Sequence, residues 1–162
     1  MKNKALIIAS AVFLLLASST VVGYQLIHNQ TPEQPSPAKF RLDDDFYTGG
    51  QLNELSSTEF EQLIAQQASF VLIAHMEYCP AETPLTTTAE ELIHQKNYGL
   101  YGLKGDEFKS SSLASTIKYL PSAAIFRDGQ LVAYLDAESD ADIPYYQSAT
   151  QLENWLSKYI EL

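Results

Sequence analysis

The longest apolar stretch of the chain stands at its beginning. Ala5 to Ile27, ALIIASAVFLLLASSTVVGYQLI, carries no charge, and at about 1.5 Å of rise per helical residue it covers the roughly 30 Å of bilayer hydrocarbon. Beyond a polar stretch the pattern shortens and begins to alternate. SSTEFEQLIAQQ sets Phe60, Leu63 and Ile64 at helical spacing, with Ser56 and Glu59 placed as a capping box. SFVLIAHM is apolar along a strand's length, the pattern of a central strand covered on both faces. TTTAEELIHQ predicts a second helix with Thr87 and Glu90 as its capping pair, YGLYGLKG a strand, and SSLASTIKYL a short helix. In PSAAIFRDGQLVAYLD two apolar strands flank Asp128-Gly129, a dipeptide that favours a tight hairpin. SATQLENWLSKYIEL predicts an amphipathic helix with Leu152, Trp155, Leu156 and Tyr159 on one stripe. With a further strand near GQLNEL, strands and helices alternate until a closing hairpin and helix. That order predicts an α/β fold, a mixed central sheet with helices on both faces, preceded by one N-terminal transmembrane helix.

Lys2 and Lys4 precede the apolar run without an acidic partner. By the positive-inside bias residues 1–4 stay in the cytoplasm, 5–27 form a signal anchor, and the remainder lies outside. The competing reading is a cleaved signal peptide, for which the small residues around Ala17-Ser18-Ser19 are suited. The run continues through Val21, Val22 and Leu26, beyond the usual signal core of about 7–15 residues, and this favours an uncleaved anchor. No cysteine sits at its end for lipid attachment. Either way the location expected is extracytoplasmic, single-pass on the cell membrane if the anchor is kept. Residues 28–39, HNQTPEQPSPAK, are rich in Pro and Gln and predict an extended spacer. The folded domain is expected over 40–162.

Charge then narrows the partners. The net charge is −10, and all 20 acidic residues follow the anchor. Such a domain is unsuited to nucleic acid or to anionic lipid surfaces. Cys79 is the single cysteine, so the chain holds no internal disulfide. The fold rests on its hydrophobic core.

FVLIAHMEYCP and YLPSAAIFRDGQLVAYL, in this order and at this separation, resemble the thioredoxin superfamily. The resemblance covers nearly everything after the spacer. It implies a thioredoxin-like fold with Cys79 in the redox loop. It also implies a cis peptide bond at Leu120-Pro121, lying against that cysteine. A looser resemblance, carried by the short anchor and the tail DIPYYQSATQLENWLSKYI, is to membrane-anchored thioredoxin-like proteins of Gram-positive bacteria, among them bacteriocin-transport accessory proteins.

The motif departs from the family where the chemistry is most demanding. Disulfide exchange proceeds through a mixed disulfide that a second thiol resolves. The family sets that thiol three positions on, and here the motif reads Cys79-Pro80-Ala81-Glu82. A dithiol cycle within one chain is therefore impossible. The family's buried acid, six residues before the cysteine, is Ile73; the tryptophan usually preceding the cysteine is Tyr78. A helix N-terminus and a protonated His75 would favour a thiolate at Cys79, whereas Glu77 and Glu82 oppose one. A helix beginning as late as Pro84 would remove the dipole as well. An ordinary or raised thiol pKa is expected.

His75 reads more simply as a strand-end histidine than as a catalytic base, and His28 and His94 are too scattered for a metal site. Asp136, Glu138, Asp140 and Asp142 alternate as in a calcium loop, but Ala141 and Gln147 stand where its glycine and final acid belong. A solvated acidic loop with exposed Tyr145 and Tyr146, suited to a protein contact, is the expectation, with no metal and no cofactor.

Two functions follow from different classes. One is an accessory or binding module for an exported peptide or envelope protein, with a groove formed by Tyr78, Pro80, Glu82, Leu120 and Pro121. The other is a monothiol thiol-disulfide oxidoreductase in which Cys79 is catalytic and an external thiol completes the cycle. An immunity or envelope-stress factor is a third reading without a residue to carry it.

Overall fold

The computed structural model describes residues 38–77 and 84–162. The expected anchor and the spacer up to residue 37 lie outside the described residues, as do positions 78–83. Among the described residues no helix is long and apolar enough to cross a membrane.

The described residues form a five-stranded sheet in the order β1-β3-β2-β4-β5. β1 (Leu52–Leu55), β2 (Val71–His75) and β3 (Leu100–Lys104) are parallel, and β4 (Ser122–Arg127) runs antiparallel to β2. β5 (Gln130–Tyr134) returns antiparallel along β4. β2 lies at the centre with all five residues buried, as its unbroken apolar pattern predicts. Val71 and Ile73 face one core and Leu72 and Ala74 the other.

The first core is closed by α1 (Asp44–Thr48), α3 (Leu85–Lys96) and α5 (Ala149–Leu156) through Phe46, Leu92, Leu152 and Trp155. The second is closed by α2 (Ser57–Ala65) and α4 (Gly105–Ser110) through Phe60 and Phe108, joined by Phe70 and Phe126. Each fully buried aliphatic or aromatic side chain contributes about 1.5–3 kcal/mol. With no disulfide available, the fold rests on these two cores on one sheet.

Local signals explain most boundaries. The capping box of α2 is formed. Ser56 Oγ accepts the Glu59 N–H at 3.3 Å, and Glu59 Oε2 accepts the Ser56 N–H at 2.8 Å. Asp128 and Gly129 both take positive φ, 50° and 72°, which a two-residue turn matched to strand twist demands.

Three expectations are corrected. α3 begins at Leu85, with Pro84 as an extended N-cap that makes no side-chain bond, so Thr87 and Glu90 are not its capping pair. Pro84 is extended at ψ 143°, and its ring offers no acceptor to cap the helix that follows. SSLASTIKYL holds only a 3₁₀ turn, Ser112–Ser115, and the helix of this region is α4, one segment earlier. The serines explain the difference. Ser110, Ser111 and Ser115 each donate a hydroxyl to a nearby carbonyl, a local bonding pattern that competes with a longer helix. Thirdly, DIPYY forms a 3₁₀ turn, Ile143–Tyr146, whose two tyrosines are half-buried against the first core rather than freely exposed.

Candidate functional site

The C-terminal ends of β2 and β3 meet the loop that leads into β4. His75 ends β2 and pairs in register with Lys104, which ends β3. On the far side, Leu120-Pro121 immediately precedes β4, and its peptide bond is cis, as the resemblance implies. In open parallel sheets, the crevice beyond the carboxyl ends of the strands is where ligands bind.

Of the site residues expected from sequence, Tyr78, Cys79, Pro80 and Glu82 lie outside the described residues. Leu120 and Pro121 lie within them and border a cleft of about 770 Å³ through Leu120. That volume is within the roughly 300–1,000 Å³ range of ligand pockets. Met76, Phe108 and Leu120 give the cleft an apolar lining, and Lys104 and Lys118 give it charge. Met76 and Tyr119 are among the few large hydrophobic side chains left exposed, at 39% and 46%. Among the described residues neither the N–H nor the C=O of Leu120 has a hydrogen-bond partner.

Pro121, by contrast, is fastened. The Tyr146 hydroxyl donates to its carbonyl at 3.1 Å, and the Tyr146 carbonyl accepts the Thr88 hydroxyl of α3 at 3.2 Å. Burial raises the Tyr146 pKa, and the carboxylates of Asp142 and Asp136 raise it further. The phenol therefore remains a donor at neutral pH. The acidic loop is likewise engaged with its own backbone: Asp142 Oδ2 accepts the Asp136 N–H and Asp136 Oδ1 the Glu138 N–H, both at 3.0 Å. Among the described residues no three His, Cys, Asp or Glu side chains gather as a metal site.

His75 is buried at 8% exposure, and its Nε2 lies 3.0 Å from Glu54 Oε1. A carboxylate only accepts, so Nε2 is the donor in this contact, while Nδ1 faces the Met76 carbonyl at 3.4 Å. Gly102 makes this contact possible. It pairs with Glu54 in register, and a Cβ there would stand 2.7 Å from the Glu54 carboxylate. A glycine inside a strand marks such a close approach, and it was the one sequence signal for this pair. Glu107, on α4, accepts the Ser57 N–H at 2.6 Å, which holds its carboxyl below the usual range. α3 begins at Leu85, six positions beyond Cys79 in sequence.

No family model and no curated protein sequence matches the chain. Solved structures do. A thioredoxin mutant from Halobacterium salinarum aligns over 71% of this chain and 96% of its own, with 18% identity and a TM-score of 0.51. Thioredoxin from Schistosoma mansoni aligns over 70% and 99%, at 18% identity and a TM-score of 0.49. Oxidised thioredoxin from Plasmodium falciparum aligns over 68% and 100%, also at 18% and 0.49. At 18% identity the likeness to the Halobacterium thioredoxin is one of fold. This chain is a thioredoxin-fold protein with a single cysteine.

Proposed function

We propose that the chain is a membrane-anchored, extracytoplasmic thioredoxin-fold module that docks an exported peptide or envelope protein without turning over disulfides. The observation that carries the reading is the open cleft ending at Leu120, in a chain whose one cysteine leaves no resolving thiol. An extended segment laid beside Leu120 finds a backbone N–H and C=O without partners among the described residues, and backbone pairing of this kind gives affinity without chemistry. Met76 and Tyr119 offer apolar contact on either side. The apolar run from Ala5 to Ile27 and the lysines before it support the anchoring and its orientation.

The monothiol reading is favoured by His75, whose imidazole is held by Glu54 at the end of the strand leading to Cys79. In that reading the Cys79 thiolate attacks a partner disulfide, forms a mixed disulfide and releases the partner's other sulfur as a thiolate. An external thiol then attacks the mixed disulfide, restoring Cys79 and carrying the partner's sulfur in a new disulfide.

Peptide binding by the full-length chain in detergent separates the two. Under the docking reading it survives Cys79→Ser. Binding that disappears in Cys79→Ser, together with a mixed disulfide on a non-reducing gel, would replace docking by monothiol exchange. Protease added to wall-stripped cells tests the orientation: removal of the domain is expected, and full protection would reverse it.

A further inference from the structure

The charge around the cleft runs against the charge of the molecule. Three of the eight basic side chains that follow the anchor, Lys104, Lys109 and Lys118, line this one depression. Elsewhere four cations are engaged, Arg41 with Asp44, Lys96 with Glu153, Arg127 with Asp128, and Lys158 with the Tyr145 hydroxyl, and the eighth, Lys39, stands apart at the start of the domain without an acidic partner among the described residues. Lys109 has Asp106 at 3.6 Å. Among the described residues Lys104 and Lys118 have no acidic partner, although both are exposed in a chain of net charge −10. Two carboxylates on the cleft wall have other partners, Glu107 the Ser57 N–H and Asp106 the Lys109 ammonium. Glu77 is the third carboxylate on the cleft wall among the described residues, and no ion pair joins it to either lysine.

We infer that the occupant of the cleft is an extended peptide segment bearing an acidic side chain, which Lys104 and Lys118 select. The inference rests on the docking reading and adds the chemistry of the partner. Lys104 comes from the end of β3 and Lys118 from the loop two residues before Leu120. A segment paired to the Leu120 backbone runs past both. Its carboxylate meets two ammonium groups and its apolar neighbour lies on Met76 and Phe108. At physiological salt charges are screened beyond about 8 Å, so the net negative charge of the domain does not cancel this local preference.

The test is a positional-scanning library of extended octapeptides, presented to the full-length chain in detergent near 0.15 M salt. Acidic residues should be enriched at one position. An acidic peptide taken from that selection should bind about five- to tenfold more weakly to Lys104→Gln/Lys118→Gln, the scale of two partly exposed ion pairs. Lys109→Gln, already neighboured by Asp106, should cost less than about twofold. All three side chains are exposed, and thermal unfolding checks that the variants keep the fold. Lys104→Glu/Lys118→Glu should shift the selection to basic residues. Selected peptides without acidic enrichment, bound equally by the double Gln variant, would overturn the acidic preference and leave docking standing. Selection of no peptide at all would overturn docking, and the preference with it.

Discussion

Behind Pro121 each polar contact draws on a different part of the chain. Tyr146 donates to the Pro121 carbonyl, Thr88 on α3 donates to Tyr146, and the Ser122 hydroxyl reaches the Leu135 carbonyl at 2.7 Å. On the side that faces the cleft Met76 and Tyr119 are exposed, and among the described residues Leu120 has an open backbone and Lys104 and Lys118 stand without acidic partners. The difference separates two requirements of recognition. A backbone edge that pairs with an extended ligand has to be fixed in advance, because ordering it on binding would cost affinity. Side chains that choose the ligand's sequence act with their donors still unspent.

Breaking the fastened side should have the largest effect. Tyr146→Ala removes a half-buried ring from the first core together with its hydrogen bonding, and should lower stability by about 2–3 kcal/mol in urea unfolding. Tyr146→Phe keeps the ring and leaves the Pro121 carbonyl without its donor, at about 1 kcal/mol. On the open side, Tyr119→Ala should change stability by no more than about 0.5 kcal/mol while weakening peptide binding. A loss of stability there as large as at Tyr146 would erase the distinction between the two walls.

The smallest expected effect is seen on acidification. Hydrogen bonds from Ser57 and from Ser56 lower the pKa of Glu107 and Glu59 below the ordinary 4.5. A carboxyl with a lowered folded pKa contributes fully above its unfolded value, and the contribution is lost as pH falls through the folded one. Unfolding midpoints of wild type and Glu107→Gln should therefore differ at neutral pH and converge below about 4.5. Parallel midpoints throughout would mean that the Ser57 bond adds nothing, and that Glu107 is free to neutralise the cleft's lysines.

The fold was legible where one local signal dominates. The apolar run of β2, the Ser56–Glu59 box and the Asp128-Gly129 turn each impose their geometry, and each is found. Legibility failed where distant groups decide. α4 is short and held partly by Glu107 bonding to Ser57, a partner fifty positions away that no local window includes. Tyr146 reads as an exposed loop aromatic because its partners, Thr88 and Pro121, come from other elements. At the site, Leu120 and Pro121 were named through the family resemblance of YLPSAAIFRDGQLVAYL, which implied the cis bond between them. Lys104 and Lys118 were not, since an unpaired lysine is recognisable only once the acidic side chains around it have been located.

The central claim is a thioredoxin fold that binds without dithiol turnover, and reduction of insulin by dithiothreitol tests it most directly. Wild type should stay at the uncatalysed rate. Glu82→Cys, which supplies the thiol that the motif lacks, should accelerate the reaction and form a disulfide within the chain. Turnover by wild type at a rate comparable to that of the variant would contradict the claim and make Cys79 the nucleophile of a monothiol enzyme.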